Sequence, residues 1–312
     1  MNNINTLVLD EMPTKFWELI KESGEEHLLT QDNLLFSEDI EVIILRTKST
    51  ITESHYKRFP NLKTVIRAGS GYDNIDVDNA PKYDVVIQNT PDANVQSAFE
   101  HTINLILAHI KQNKIMNSRV LNNRWKTDLK FNLEISDIKL LVVGLGRIGS
   151  KVADFFSTLG AEVKFVDPYI DASPWREKDI YDCDFSTGVE WCNVLTYHTP
   201  LYPDTYHHFS NEVLTNLSKP IYLFNVARGG IVDIDAVKKG LESGKIIGAG
   251  VDVFENEPWQ YEGWEDLENL TLTPHVGAYT VKARERISVD CFTAWKDYCN
   301  NKEYRYPVKV WK

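Results

Sequence analysis

The sequence predicts an α/β protein of two domains, each built on a parallel sheet, and three observations support this. Apolar runs of strand length alternate with helical or turn segments along the chain. A glycine turn that joins an apolar run to an amphipathic segment begins near the middle, at Gly144. The 312 residues, 43% of them hydrophobic, are enough to bury two cores rather than one.

The segment before the long helix predicted at 97–120 has its own α/β pattern. We therefore expect a first domain of 1–96 plus 283–312 and a second domain of 97–282, with the helix bridging them. A final helix over 281–299 is expected to return to the first domain. The apolar runs predict strands at 6–9, 42–45, 64–66, 85–88, 140–143, 194–197, 221–225, 246–251 and 270–273.

Residues 139–169 read as strand, glycine turn, helix and second strand, which is the pattern of a dinucleotide site. Gly144 permits a tight turn, Gly146 lets backbone amides approach a pyrophosphate, and Gly149 lets the helix pack closely on the sheet. The pyrophosphate would lie at the helix N-terminus. Gly160 supplies the helix stop, and one apolar face is formed by Val152, Phe155, Phe156 and Leu159.

Asp167 follows the second strand at the place where a carboxylate accepts hydrogen bonds from an adenosine ribose. No Lys or Arg occurs between Pro168 and Ser173, and Asp171 adds negative charge there. A ribose 2′-phosphate would therefore lack a partner in this segment, which favours NAD over NADP. Arg147, inside the glycine loop, is the nearest cation in sequence.

Composition excludes several classes of function. The formal charge of −11 argues against binding to nucleic acid or to an anionic membrane, so an anionic substrate needs a local positive pocket. The four cysteines form no CxxC pair, the apolar run 103–110 is too short to cross a bilayer, and no signal peptide precedes Leu7, so we expect a cytoplasmic protein. We interpret His207 and His208 as surface residues and expect no metal.

Polar residues follow several predicted strands, at positions where a buried core would contain none. They lie in the segments 198–200, 225–230, 252–258 and 273–278. In open α/β sheets the carboxyl ends of the strands line the ligand crevice. Arg, Glu and His are therefore all available for chemistry at that edge.

With these segments the chain resembles the D-isomer-specific 2-hydroxyacid dehydrogenases. The match rests on 144–149, Asp167, the Arg228 segment, Glu257-Pro258, Pro274-His275 and the run 70–76, SGYDNID. The resemblance implies one flavodoxin-like and one Rossmann-like domain, with the active site in the interdomain cleft. It also implies hydride transfer between the nicotinamide of NAD and C2 of an anionic small-molecule substrate.

The resemblance assigns roles to three catalytic residues. His275 donates or accepts the proton at the substrate 2-oxygen, Glu257 orients its imidazole and stabilises the cationic form, and Arg228 binds the substrate carboxylate. Taken singly, His275 also fits an ordinary histidine at a strand end, Glu257 a solvated carboxylate in a turn, and Arg228 a member of a surface ion pair. The cofactor surface implied by the resemblance comprises Ser70, Gly144, Gly146, Arg147, Ile148, Gly149, Asp167, Thr199, Pro200, Val226, Ala227, Arg228, Asp252, His275, Gly277 and Ala278.

Arg46 and Arg67 occupy places that carry phosphate-binding arginines in the 3-phosphoglycerate dehydrogenase branch. With Ser70, Gly71, Arg228 and His275 they form the expected substrate site. Two guanidinium groups suit a dianion, which favours 3-phosphoglycerate and serine biosynthesis. The alternative is that both arginines form surface ion pairs, and that the substrate is glyoxylate or hydroxypyruvate or another D-2-hydroxy acid.

Two further expectations follow from the resemblance, and one segment departs from its pattern. The chain ends at Lys312, so no regulatory domain with serine feedback is expected. A homodimer would form through the NAD domain. Gly188, in 186–193, departs from the more helical pattern usual there. A function of another class also stays open, because some relatives of this fold bind NAD(H) to regulate partner proteins without turnover.

Overall fold

The computed structural model describes residues 5–30, 37–126, 131–260, 263–264 and 267–308. The chain divides into two compact units. The first unit is Met1–Val95 with Ala278–Lys312, and the second unit is Gln96–Gly277. The sequence placed these boundaries after 96 and after 282, and in the structure they follow Val95 and Gly277. The second boundary is earlier because the chain enters the first unit before its last helix begins.

The described residues contain twelve strands, and every pairing between them is parallel. In chain order they are β1 (Asn5–Val8), β2 (Leu29–Thr30), β3 (Ile40–Leu45), β4 (Thr64–Arg67), β5 (Val86–Asn89), β6 (Lys139–Val143), β7 (Glu162–Val166), β8 (Ile180–Asp182), β9 (Val194–Tyr197), β10 (Ile221–Asn225), β11 (Ile246–Val251) and β12 (Leu270–Leu272).

The same residues contain ten α-helices. They are α1 (Thr14–Ser23), α2 (Glu53–Arg58), α3 (Val95–Ile110), α4 (Asn113–Leu121), α5 (Arg147–Thr158), α6 (Ser173–Arg176), α7 (Phe185–Trp191), α8 (Asn211–Asn216), α9 (Ile234–Ser243) and α10 (Val281–Asn301). The predicted final helix is therefore confirmed as α10, which belongs to the first unit.

The first unit has a five-stranded sheet in the order β2-β1-β3-β4-β5, which is the order of flavodoxin-like folds. Helix α10 packs against this sheet through a buried face that includes Ile287, Cys291 and Trp295. The indole of Trp295 donates a hydrogen bond to the hydroxyl of Thr6 at 2.8 Å, so the helix is fixed to β1 by a buried polar contact as well as by apolar packing.

The second unit has a seven-stranded sheet in the order β12-β11-β10-β9-β6-β7-β8. Counted from β6, this is the doubly wound Rossmann order with one strand added at the edge. The strand order reverses between β6 and β9, and ligands bind at such a switch point in open parallel sheets. The predicted fold class of two parallel α/β units is thus confirmed, whereas the location of the active site between them stays a prediction.

The prediction of one helix over 97–120 is wrong. Helix α3 ends at Ile110, α4 begins at Asn113, and between them Gln112 adopts a left-handed backbone with φ 53°. The apolar pattern stops at the same place, since α3 buries eight side chains and α4 buries none. A break therefore costs no core packing, and no glycine or proline marks it in the sequence.

The prediction for the face of the glycine-loop helix was only partly right. Helix α5 buries Val152 and Phe156, and Gly160 ends it with φ 94°, but Leu159 lies beyond its last turn and is 48% exposed.

Gly188, which departs from the usual pattern of its segment, lies inside α7. An added Cβ there would come within 2.8 Å of Leu141. The glycine therefore lets this helix lie close to the sheet.

Candidate active site

The predicted chemical residues of the second unit follow five of its strands at one edge of the sheet. The glycine loop follows β6 and Asp167 follows β7, while Arg228, Asp252 and His275 follow β10, β11 and β12. Because parallel strands end at the same edge, these groups lie on both sides of the switch point, with only β9 between the two sets.

The glycine loop is shaped by backbone packing. Gly144 has φ 91°, and an added Cβ there would lie 2.7 Å from the carbonyl carbon of His198. A Cβ on Gly149 would lie 1.9 Å from the carbonyl oxygen of Gly144. A Cβ on Gly146 would meet nothing within 4 Å, and this residue is the N-cap of α5. The loop thus has an open side beside the N-terminus of a helix, whose first amides have no acceptor within the helix itself, and this suits a pyrophosphate.

Asp167 is held against this loop by two backbone amides. Its Oδ2 accepts from Leu145 at 2.8 Å, and its Oδ1 accepts from Tyr169 at 3.0 Å. Each carboxylate oxygen can accept a further hydrogen bond, so the two oxygens suit the two hydroxyls of a ribose. The residues present therefore fit a dinucleotide at both the pyrophosphate and the ribose positions.

His275 and Glu257 form a hydrogen-bonded pair, with Nδ1 of the imidazole 2.8 Å from Oε2 of the carboxylate. The other oxygen of Glu257 accepts from the amide of Phe254 at 3.0 Å. Burial acts to raise the pKa of Glu257, but the hydrogen bonds from His275 and Phe254 outweigh it, so its pKa lies below the usual value. The imidazole is 43% exposed, which allows another group to reach its Nε2.

The loop that carries His275 is anchored by Asp252, whose side chain is 1% exposed. Its Oδ1 accepts from the Val276 amide at 2.8 Å and from the Thr273 hydroxyl at 2.6 Å, and its Oδ2 accepts from the Gly277 amide at 2.8 Å. Burial raises the pKa of Asp252, but these hydrogen bonds and one from His101 bring it below the usual value. The carboxylate is therefore ionised and held by donors of its own unit.

Arg228 lies in a loop fixed by Asn225, which is fully buried at the end of β10. The Asn225 side chain donates to the Arg228 carbonyl at 2.8 Å and accepts from the Ala227 amide at 3.1 Å. The guanidinium donates to the Ala227 carbonyl at 2.7 Å. A Cβ on Gly229 would lie 1.9 Å from the backbone of Phe254, so the Arg228 loop packs directly on the loop that leads to Glu257.

The first unit holds Arg46 at the end of β3 through Asp10, which follows β1. The Asp10 carboxylate accepts from the amides of Arg46, Lys48 and Ser49 at 2.6, 3.2 and 3.0 Å. The Arg46 side chain donates to the Glu11 carbonyl at 3.2 Å. Burial lowers the pKa of Arg46, and the positive charge of Arg284 lowers it further. Two cationic side chains therefore act on each other in this part of the unit.

Arg67 ends β4 and pairs in register with Leu45, the residue before Arg46. Its guanidinium crosses Gly69, where an added Cβ would lie 1.4 Å from Nη1. The carbonyl of Ser70 accepts from the side chain of Asn89 at 2.6 Å, which fixes the start of the segment 70–76.

The expected site residues divide between the two units. The second unit contains Gly144, Gly146, Arg147, Ile148, Gly149, Asp167, Thr199, Pro200, Val226, Ala227, Arg228, Asp252, Glu257, His275 and Gly277. The first unit contains Arg46, Arg67, Ser70, Gly71 and Ala278.

The sequence did not single out Asp10 or His101, and it named Asn225 only as part of the polar segment 225–230, although each holds a site residue. Their one signal is a polar side chain next to or within an apolar run. The surface interpretation of His208 is wrong, because its ring lies 4.1 Å from that of Phe185 and its Nδ1 lies 3.2 Å from the Tyr197 hydroxyl.

The described residues contain no group of three His, Cys, Asp or Glu side chains that could hold a metal ion. They also contain no helix with the length and apolar character needed to cross a membrane.

The family described as D-isomer specific 2-hydroxyacid dehydrogenase, NAD binding domain, matches residues 103–277, which is more than half of the chain. The chain belongs to this dehydrogenase family. The resemblance seen in the motifs is thereby confirmed, and the second unit corresponds to the family's NAD-binding domain.

Curated relatives of this chain include the D-3-phosphoglycerate dehydrogenase of Bacillus subtilis, which is 32% identical over 286 residues. The match covers 90% of this chain and 54% of the relative. The protein of the same name from Mycobacterium leprae is 33% identical, over 81% of this chain and 48% of the relative. The chain thus spans about half the length of the curated relatives that it matches.

Solved structures of similar architecture match over nearly their whole length. The D-lactate dehydrogenase of Aquifex aeolicus, solved with NAD and lactic acid, is 26% identical, with a TM-score of 0.85 and 95% of each chain covered. An NADPH-dependent glyoxylate/hydroxypyruvate reductase of Sinorhizobium meliloti, solved with NADP and malonate, is 26% identical, with a TM-score of 0.86 and coverage of 98% of this chain and 97% of that one.

Alanine variants of two loop glycines separate packing from cofactor binding. Gly149→Ala should lower both the melting temperature and the affinity for NADH, because its Cβ would overlap the Gly144 carbonyl. Gly146→Ala should leave the melting temperature unchanged but weaken NADH binding by about tenfold or more, since its Cβ meets no protein atom. Thermal unfolding and NADH fluorescence titration measure the two effects. Wild-type NADH affinity in Gly146→Ala would contradict a pyrophosphate at this loop.

Proposed function

We propose that this chain is an NAD-dependent D-2-hydroxyacid dehydrogenase that interconverts 3-phosphohydroxypyruvate and 3-phosphoglycerate, a reaction of serine biosynthesis. The observation that carries the proposal is the 2.8 Å pair of His275 and Glu257, at the same sheet edge as the glycine loop. The pair supplies an acid and base for the 2-oxygen, and the glycine loop supplies the place for the dinucleotide.

In the direction of reduction, bound NADH would supply the hydride that adds to C2 of the 2-oxo acid. His275 donates a proton from Nε2 to the 2-oxygen, so that the carbonyl becomes a hydroxyl. Glu257, whose pKa is lowered, stays ionised, holds the imidazole through Nδ1 and stabilises its protonated form. In the direction of oxidation the imidazole accepts the same proton.

Arg228 binds the carboxylate of the substrate and polarises the 2-carbonyl. A planar guanidinium can donate two parallel hydrogen bonds to a carboxylate, which a lysine cannot do. Asn225 and Gly229 act on this residue by fixing its loop next to that of Glu257. The proposed carboxylate site and the proposed proton donor are therefore supported by the same pair of loops.

The cofactor contacts proposed for the second unit favour NAD. Asp167 places a carboxylate beside the glycine loop, where it repels a ribose 2′-phosphate and accepts from a 2′-hydroxyl. Asp171, which caps the Ser173 amide at 3.0 Å, adds to the negative charge of the segment. The remaining residues of the predicted cofactor surface are proposed to contact the dinucleotide, as the family resemblance implies.

Arg46 and Arg67 are proposed to bind the substrate phosphate. Arg46 follows β3 and Arg67 ends the neighbouring β4, and Arg46 is partly desolvated and lies near the positive charge of Arg284. A bound dianion would relieve this repulsion between cations, which an uncharged hydroxymethyl group would not. The names of the curated relatives agree with this substrate. Hydroxypyruvate or glyoxylate is the second candidate, because a solved reductase for these acids is 26% identical and covers nearly the whole chain.

We also propose a homodimer formed through the NAD domain, in the cytoplasm. Helix α4 buries no side chain, and the segment after it exposes Trp125 by 71% and Phe131 by 102%. A second copy of the chain could cover such an apolar surface. The four cysteines are free thiols, which is usual in a reducing compartment.

The function is tested by following NADH oxidation with phosphohydroxypyruvate, hydroxypyruvate and glyoxylate. We expect kcat/KM to be at least about tenfold higher for phosphohydroxypyruvate, since one good phosphate contact contributes about 1.4 kcal/mol or more. Equal values for the three acids would contradict the substrate assignment. NADH binding without turnover of any acid would contradict the enzyme and favour an NAD(H)-sensing protein.

The phosphate contacts are tested by combining Arg46→Ala with Arg67→Ala. We expect KM for phosphohydroxypyruvate to rise about 100-fold, while KM for hydroxypyruvate changes less than about threefold, because only the first acid uses these charges. Arg58→Ala, an exposed arginine of the same unit, is the matched control and should leave both values unchanged. An equal rise in KM for both substrates in the double variant would contradict a phosphate site at Arg46 and Arg67.

A further inference from the structure

We propose that His101, on helix α3, is a positioning residue of the active site: through Thr273 and Asp252 it holds the loop that carries His275. The inference rests on the proposed function for its effect on catalysis, but the contacts that carry it lie wholly within the second unit. Nε2 of His101 lies 3.1 Å from the Thr273 hydroxyl and 3.4 Å from Oδ1 of Asp252.

The proton positions in this cluster follow from the acceptor. The Thr273 hydroxyl has one proton and gives it to Oδ1 of Asp252 at 2.6 Å. Its oxygen can then only accept from His101, so Nε2 of His101 carries a proton and donates to the hydroxyl and the carboxylate together. His101 thus supplies the proton that the Thr273 oxygen accepts, next to a carboxylate that is 1% exposed.

Asp252 transmits this contact to the backbone around His275. Its carboxylate accepts from the amides of Val276 and Gly277, both at 2.8 Å, and its main-chain carbonyl accepts from the amide of His275 at 2.8 Å. His275 adopts φ 52°, a left-handed conformation that is unfavourable for a residue with a β-carbon. Contacts from outside the loop must therefore stabilise this conformation. Asp252 accepts hydrogen bonds from all three of these loop amides.

A second histidine on the same helix shows what a packing role looks like. His109 is 8% exposed, its ring lies 5.5 Å from that of Phe224, and burial lowers its pKa to about 4. Its Nε2 is buried and meets no hydrogen-bond partner among the described residues. His101 differs because its imidazole is directed to a hydroxyl and a carboxylate next to the site.

The test compares His101→Leu with His101→Gln by two readouts. The first is amide hydrogen exchange at Val276 and Gly277, measured relative to the amides of β6, which needs no substrate. We expect exchange at least about tenfold faster in the leucine variant and near wild type in the glutamine variant, because the glutamine amide can donate to the same oxygens.

The second readout is kinetic. We expect kcat to fall about 10–100-fold in His101→Leu, with KM changed less than about threefold, because a small displacement of the proton donor slows the reaction more than it weakens substrate binding. His101→Gln should recover most of kcat. Recovery by a side chain of different shape that keeps an N–H donor would not be expected if His101 only filled space.

Two control variants lie on the same helix. His109→Leu removes a buried imidazole that does not contact the site, and Asn104→Ala changes an exposed position. Both controls are needed, because the first variant reports the effect of lost stability and the second reports the effect of a substitution alone. Both should keep wild-type kcat and wild-type relative exchange at Val276 and Gly277.

Unchanged relative exchange at Val276 and Gly277 in His101→Leu would overturn the inference, as would a glutamine variant that is as impaired as the leucine variant. If the wild-type protein reduces no 2-oxo acid, the proposed function fails. The exchange measurement then still decides whether His101 holds the loop, so the two failures are distinguishable.

Discussion

The carboxylate of Asp252 is the constraint on which the candidate site depends. It follows β11, is almost completely buried, and remains ionised because amides, a hydroxyl and an imidazole donate to it. These hydrogen bonds fix the segment after β12 in a left-handed turn, and that turn presents His275 to Glu257. The hydrogen-bonded pair of His275 and Glu257 is therefore a consequence of how one strand end satisfies a buried charge. Since the pKa of Asp252 is lowered, its contribution to stability is present above the pKa of an unfolded Asp and is lost only as pH falls through the folded value.

The first unit uses a similar solution. Asp10 follows β1 and accepts from the amides of the loop after β3, as Asp252 follows β11 and accepts from the loop after β12. In each unit a strand-end carboxylate orders a loop that carries a candidate chemical residue, Arg46 in one and His275 in the other. An ionised acceptor makes stronger hydrogen bonds than a neutral one, so a short loop can be held without a large apolar contact.

Sequence reasoning correctly predicted the structural features that local sequence patterns encode. Parallel sheets, the glycine loop and the strand-end residues follow from periodicity and from chemistry at known offsets, and the structure has them. The pairing of His275 with Glu257 could be expected only from the family resemblance, because a strand and two loops separate them in the chain. The break at Gln112 has no local signal in the sequence. The left-handed glutamine lies where the buried face of α3 ends, and tertiary packing decides where that face ends. His101 was missed because a histidine in an apolar helix resembles the packed His109, and only the fold shows which of them meets a carboxylate.

A comparison of kcat/KM for reduction at neutral pH between the wild-type protein and Glu257→Gln tests the central claim most directly. Glutamine keeps a hydrogen-bond acceptor for His275 but removes the charge that stabilises its protonated form. The account predicts that kcat/KM of the variant falls about 10–100-fold, because the proton donor loses its charged partner. An unchanged kcat/KM would contradict the account.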